Sequence, residues 1–180
     1  MTDTDPGADV RGRPGFQSGA ENKRAGKRSR TTKRFTDPIL TAELEGLLPG
    51  KALDLACGSG RHALWLAEHG WDVTALDLIT EPFPGVHFIR ADLENHEYRI
   101  EPDSWDLIAC WLYWQPDLLP EILRGVRPGG VVALAGKTNG RFATSLEEYR
   151  NVFAGWIELA SGEDQGRTYF IARRPEELVD

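Results

Sequence analysis

The sequence predicts a doubly wound α/β domain. Its core is a seven-stranded, mostly parallel sheet that closes with an antiparallel hairpin at the carboxyl end. Three observations carry this. Residues 51–56, 72–77, 86–91, 106–110 and 131–135 are short apolar runs, as expected of strands covered on both faces. Helical periods or turns separate them. Two last runs, 156–160 and 168–172, flank a Gly/Glu/Asp turn and predict the hairpin.

The chain has 180 residues and 41% hydrophobic content, enough for one sizeable core. No apolar run approaches the roughly 20 residues of a membrane span, and the first residues hold no apolar signal region. Cys57 and Cys110 stand far apart, which argues against a disulfide framework and a cysteine zinc site. A cytoplasmic setting is expected. The net charge of −7 is unevenly spread: residues 1–35 carry nine Lys/Arg against four Asp/Glu, residues 36–180 twelve against twenty-four. This predicts a disordered basic arm over 1–35 and an acidic globular domain over 36–180. The basic run at 23–34 reads as a solvated tail. The alternative is contact with nucleic acid or an acidic partner, which the lack of interleaved aromatic residues does not favour.

The elements follow in order. Asp37 is a helix cap before Pro38, and Ile39, Leu40, Leu44, Leu47 and Leu48 form an apolar stripe. Pro49-Gly50 ends that helix, and strand one occupies 51–56. A second helix over 61–69 stops at Gly70. Strand two is 72–77 and strand three 86–91. Only eight residues lie between Asp77 and Val86, two of them prolines, so no regular helix is expected there. Strand four is 106–110. A helix over 117–125 leads to the Pro128-Gly129-Gly130 turn and strand five at 131–135. A last helix over 145–154 has Thr144 as its candidate cap.

The segment from Lys51 to Asp77, KALDLACGSGRHALWLAEHGWDVTALD, concentrates the chemistry. It reads as strand, Gly-rich turn, helix, then a strand ending in a carboxylate. Ligands of such sheets sit beyond the carboxyl ends of the strands, at the point where strand order reverses. Gly58 and Gly60 let the backbone turn tightly there. Asp77 ends the next strand on the same edge, placed to accept ribose hydroxyls. The spacing Gly58-x-Gly60-x-x-Ala63 also satisfies a dinucleotide fingerprint. Asp54 weighs against that: a carboxylate four residues before the first glycine repels a pyrophosphate and favours a cationic ligand.

With these pieces the chain resembles the class I S-adenosylmethionine-dependent methyltransferases, which have a Rossmann-like fold. The stretches that carry the resemblance are DLACGSGRHALWLAEHG, VTALD, FIRADLEN, WDLIAC and ILRGVRPGGVVALAG, spread over 48–173. Within the class it is similar to the small-molecule branch of tellurite-resistance and thiopurine-type enzymes. The resemblance implies S-adenosyl-L-methionine as cofactor. It implies Asp54, Ala56, Gly58, Ser59 and Gly60 around the methionine portion, and Asp77 with Leu78 at the ribose. Asp92 and Leu93 fall at the adenine, and Cys110 and Trp111 at the methyl end. The family's helix between strands two and three is missing or reduced here, leaving the adenine side open or covered by Phe83 or the arm.

The acceptor is expected to be a small molecule, with a soft sulfur, selenium or tellurium nucleophile as one candidate class. Three aromatic residues in 111–114 offer a wall for it, or else pack in the core. Tyr113 and His62 are the nearby proton acceptors, and no general base is assigned. The other readings are a non-catalytic binding protein of this fold, a nucleic-acid methyltransferase that grips phosphates through 23–34, and a nicotinamide-dependent dehydrogenase.

Overall fold

The structure is a computed structural model in which residues 36–78 and 81–176 are described. The predicted arm, with its basic run, lies outside these residues. Seven strands form one sheet: β1 (Lys51–Leu55), β2 (Asp72–Asp77), β3 (His87–Arg90), β4 (Trp105–Trp111), β5 (Val126–Lys137), β6 (Ile157–Asp164) and β7 (Arg167–Arg173). Their order is β3-β2-β1-β4-β5-β7-β6. The pairs from β3 through β5 are parallel, and β7 is antiparallel to both its neighbours.

Alternation along the strands sorts the core into two layers. Leu53, Leu55, Ile108, Val132 and Leu134 face α3 (Leu119–Gly125) and α4 (Leu146–Val152). Ala52, Val73, Ala75, Leu107, Val131 and Ala133 face α1 (Pro38–Leu44) and α2 (Arg61–Glu68). Each fully buried Leu or Ile of this sheet contributes about 1.5–3 kcal/mol relative to an exposed one.

Several elements differ from the sequence reading. Leu40 and Leu44 are buried as expected, but Leu48 is 92% exposed, because α1 ends at Leu44 and the stripe does not continue. The cap of α4 is Ser145, not Thr144. Ser145 and Glu148 form a reciprocal capping box, and Thr144 Oγ1 donates to Glu148 instead. The Pro128-Gly129-Gly130 segment lies within β5, as an irregularity where Trp105 pairs with Val126 and Leu107 with Val131. No helix occurs in residues 81–86, as expected. The crossover from β3 to β4 also lacks one and runs as turns. Asp92 organises it: Oδ1 accepts from the N–H groups of Glu94 and Asn95 at 2.9 and 3.3 Å.

Among the described residues, no helix is long and apolar enough to cross a membrane.

Candidate functional site

The chain runs outward from β1 through β2 to β3, then returns to place β4 on the other side of β1. The switch point therefore lies between β1 and β4. Two adjoining cavities open there, beyond the carboxyl ends of the strands. The larger, about 420 Å³, is lined by residues that include Ala56, Asp77, Leu78, Ala91, Asp92 and Leu93. Glu94, Trp111, Leu112, Tyr113, Arg141 and Phe142 complete its wall. The smaller, about 110 Å³, is lined by Asp54, Cys57, Gly58, Ser59, Arg61 and His62. Ala56, Trp111 and Leu112 belong to both.

The turn between β1 and α2 shapes the smaller cavity. Ala56, Gly58 and Gly60 all have positive φ, at 52°, 55° and 72°. Gly60 has a second requirement, because a Cβ there would lie 2.3 Å from the Phe83 ring. Phe83 thus packs behind the turn and against Phe88, with ring centroids 5.7 Å apart, rather than over either cavity. Asp77 Oδ2 accepts from the Gly58 N–H at 2.9 Å, which ties the turn to the end of β2.

Asp54 is the outstanding group. It is 2% exposed, and its Oδ2 has no hydrogen-bond partner among the described residues. Burial pushes its carboxyl up to about 7; the Ala63 N–H opposes the rise, Asp77 adds to it, and Arg61 opposes it. A buried carboxylate oxygen without a donor is costly. A cationic ligand in the smaller cavity would offset that cost.

The other expected residues are distributed as follows. Ala56, Asp77, Leu78, Asp92, Leu93 and Trp111 line the larger cavity, and Gly58 and Ser59 the smaller. Arg90 steadies Leu78 by donating to its carbonyl at 3.1 Å. Asp92 already accepts three hydrogen bonds within its own turn, the third from Asn95 Nδ2 at 2.8 Å. A carboxylate has about four acceptor sites, so one remains for a ligand. Cys110 lines neither cavity. Side chains alternate along β4, so its thiol points into the α3/α4 layer and donates to the Tyr113 carbonyl at 3.5 Å. Burial pushes that thiol well up, which keeps it protonated.

The aromatic edge after β4 divides. Trp111 and Tyr113 face the larger cavity, whereas Trp114 packs edge-on against Tyr149 at 5.0 Å. Neither candidate proton acceptor is poised. His62 Nε2 accepts from the Asp37 N–H at 3.2 Å, and burial, aided by Arg61, lowers the ring to about 4. Tyr113 donates to Gln115 Oε1 at 2.6 Å, and burial pushes it up to about 12.

Arg141, Phe142, Leu112 and Glu94 were not singled out by the sequence. Arg141 pairs with Glu94 and lies 4.9 Å over the Phe142 ring, which contacts Tyr113 at 4.7 Å. Leu112 and Phe142 have φ of 65° and 67°. Together with Ala56, they put strained backbone of three separate loops around one cavity, a common mark of a functional site. Nothing in residue identity announces these conformations, since Leu and Phe rarely adopt them.

In fold and in sequence the chain is similar to the class I S-adenosylmethionine-dependent methyltransferases. Within that class it is similar to tellurite resistance protein TehB, whose family model matches residues 25–113. The malonyl-[acyl-carrier protein] O-methyltransferase of Salmonella typhimurium is 35% identical over 154 residues, 80% of this chain and 56% of the relative. The chain thus spans little more than half the length of that relative. Two solved structures share the fold. TehB from Haemophilus influenzae has a TM-score of 0.65 at 16% identity, covering 77% of this chain and 62% of that one. A methyltransferase from Mesorhizobium loti has a TM-score of 0.62 at 18% identity, covering 76% and 96%.

Proposed function

We propose that the chain binds S-adenosylmethionine across the two cavities and transfers its methyl group to a small-molecule acceptor. The observation that carries this reading is the unpartnered Oδ2 of buried Asp54 at the wall of the smaller cavity. Ionised Asp54 would pair with the ligand ammonium, and Arg61 is the cation on the same wall for a carboxylate. Ala56, Gly58, Ser59 and Gly60 shape the seat of the methionine portion. Asp77 with Leu78 serves the ribose, and Asp92 with Leu93 the adenine. Trp111, on the wall common to both cavities, marks the methyl end; Cys110 supports that edge from behind.

The bound sulfonium supplies an activated methyl, so the chain has chiefly to orient, exclude water and hold its own charges in place. Neither His62 nor Tyr113 is set to take a proton. This favours an acceptor that arrives already nucleophilic, such as a thiolate, a selenide or tellurite. With the cofactor bound, the acceptor–carbon bond would form as the methyl carbon–sulfur bond breaks, and no residue of the chain would have to remove a proton.

The test is calorimetric titration with S-adenosylmethionine and S-adenosylhomocysteine, with NAD as control. Micromolar binding of the first two alone is expected. Binding of NAD, or of none of the three, would overturn the reading.

A further inference from the structure

Asp37 does more than begin a helix. The residue is 6% exposed. Oδ1 accepts from the Ile39 N–H at 3.0 Å, the ordinary capping bond of α1. Oδ2 points the other way. It accepts from Trp111 Nε1 at 3.1 Å and from Arg167 at the start of β7. The Asp37 backbone N–H donates to His62 Nε2 at 3.2 Å. One residue therefore touches α2, the end of β4 and the start of β7.

Capping does not account for this arrangement. A cap needs one oxygen, and Asn or Ser supplies it as well as Asp. Stability accounts for it poorly, since burying an ion pair costs several kcal/mol of desolvation per ion, which the attraction often only offsets. What the second oxygen and the N–H share is their destination. Trp111 and His62 both line the smaller cavity, and their rings meet edge-on with centroids 6.2 Å apart. Arg167, itself only 14% exposed and paired also with Asp164, anchors Asp37 from the far side.

We propose that Asp37 is a positioning residue for the cofactor site. It fixes the plane of the Trp111 indole on the wall shared by the two cavities. It also holds His62 in one tautomer, because Nε2 must accept and the ring proton must therefore sit on Nδ1. His62 is thereby a neutral donor rather than a base. This inference rests on the cavities being the S-adenosylmethionine site, so its test reads both the ligand and the ligand-free protein.

Three variants of the full chain decide it. Asp37→Asn keeps a capping residue but removes the charge. Trp111→Phe keeps an aromatic ring and removes the indole donor. Leu44→Ala truncates the buried face of α1, far from the hydrogen bonds, and serves as the structural control. Calorimetry should show S-adenosylhomocysteine binding weakened about tenfold by Asp37→Asn and by Trp111→Phe, because the cavity wall is no longer held in its binding geometry. The double variant should lose no more than either single one, because both remove the same contact. Leu44→Ala should lower the melting temperature and leave the dissociation constant unchanged.

The indole ¹⁵N–¹H resonance of Trp111, identified by its loss in Trp111→Phe, should move in ligand-free Asp37→Asn. An unmoved resonance overturns the proposal whether or not ligand binds. So do an unchanged affinity in Asp37→Asn, additive losses in the double variant, or an equal loss in Leu44→Ala. Failure of the unaltered chain to bind the ligand would instead refute the cofactor reading, with the indole measurement still standing.

Discussion

Lowering the pH should release the cofactor, and Asp54 sets how steeply. Burial pushes its carboxyl up to about 7. If ionised Asp54 holds the ligand ammonium, the apparent Kd rises as the group takes up its proton. For one group of pKa about 7, the Kd should rise about 15-fold between about pH 7 and pH 5.5, or about 1.6 kcal/mol. The ligand amine stays protonated over this interval. Calorimetry with S-adenosylhomocysteine at several pH values measures it directly. Asp54→Asn should bind about 10- to 150-fold more weakly at about pH 7, the equivalent of about 1.5–3 kcal/mol, and should flatten the pH profile.

Stability should run the other way. The folded-state value lies above the ordinary 3.8. Ionised Asp54 therefore destabilises the ligand-free fold. The penalty is absent below the unfolded value, grows as the pH rises through it, and is complete above about 7, where it reaches about 4 kcal/mol. Asn at this position still buries an amide, at about 1–3 kcal/mol, so the net gain at about pH 8 should be near 2 kcal/mol. That corresponds to a melting temperature about 4–8 °C higher. A variant that is both more stable and weaker in binding is the expected signature of a binding-site carboxylate. A flat pH profile in the unaltered chain, or wild-type affinity in Asp54→Asn, would refute the reasoning.

Three further outcomes are expected. Asp77→Ala should weaken S-adenosylhomocysteine binding by about 1.5–3 kcal/mol in calorimetry, through lost ribose bonds and a turn no longer tied at Gly58. Arg141→Gln should raise KM for an anionic acceptor about tenfold and leave the cofactor Kd alone. Arg141 is the cationic side chain on the larger cavity, and its exposed pairing with Glu94 is weak enough to exchange. Gly60→Ala should lower the melting temperature by about 4–12 °C: positive φ costs Ala about 1–2 kcal/mol, and the new methyl must also displace the Phe83 ring.

Much of the scaffold was legible in order because its signals are local. The run at 72–77 became β2 with those bounds, since Gly70 stops the preceding helix and the apolar alternation begins at once. Asp37 capped α1 as its position before Pro38 implied. Asp54, Gly58 and Asp77 could be selected because a charge within an apolar strand and a glycine pair at its end are anomalies of the sequence itself. Other features were illegible because they depend on distant partners. Leu48 fits the helical stripe by spacing, yet α1 ends before it and among the described residues nothing covers it. Cys110 and Trp111 are neighbours in sequence, but the pleat sends them to opposite layers.

The sequence by itself determined the strand–turn–helix unit, the sheet that follows from it and the acidic residues at the carboxyl edge of that sheet. Those depend on periodicity, glycine and charge within a few residues. Only the tertiary structure decided which groups meet. It brought a helix cap into contact with Trp111, His62 and Arg167, residues 74, 25 and 130 positions away. It also left Asp54 Oδ2 unpartnered at the wall of a cavity. Contacts at such separations are set by strand order and register. Hydrogen-bond satisfaction is therefore a property of the assembled sheet edge, not of any segment that composes it.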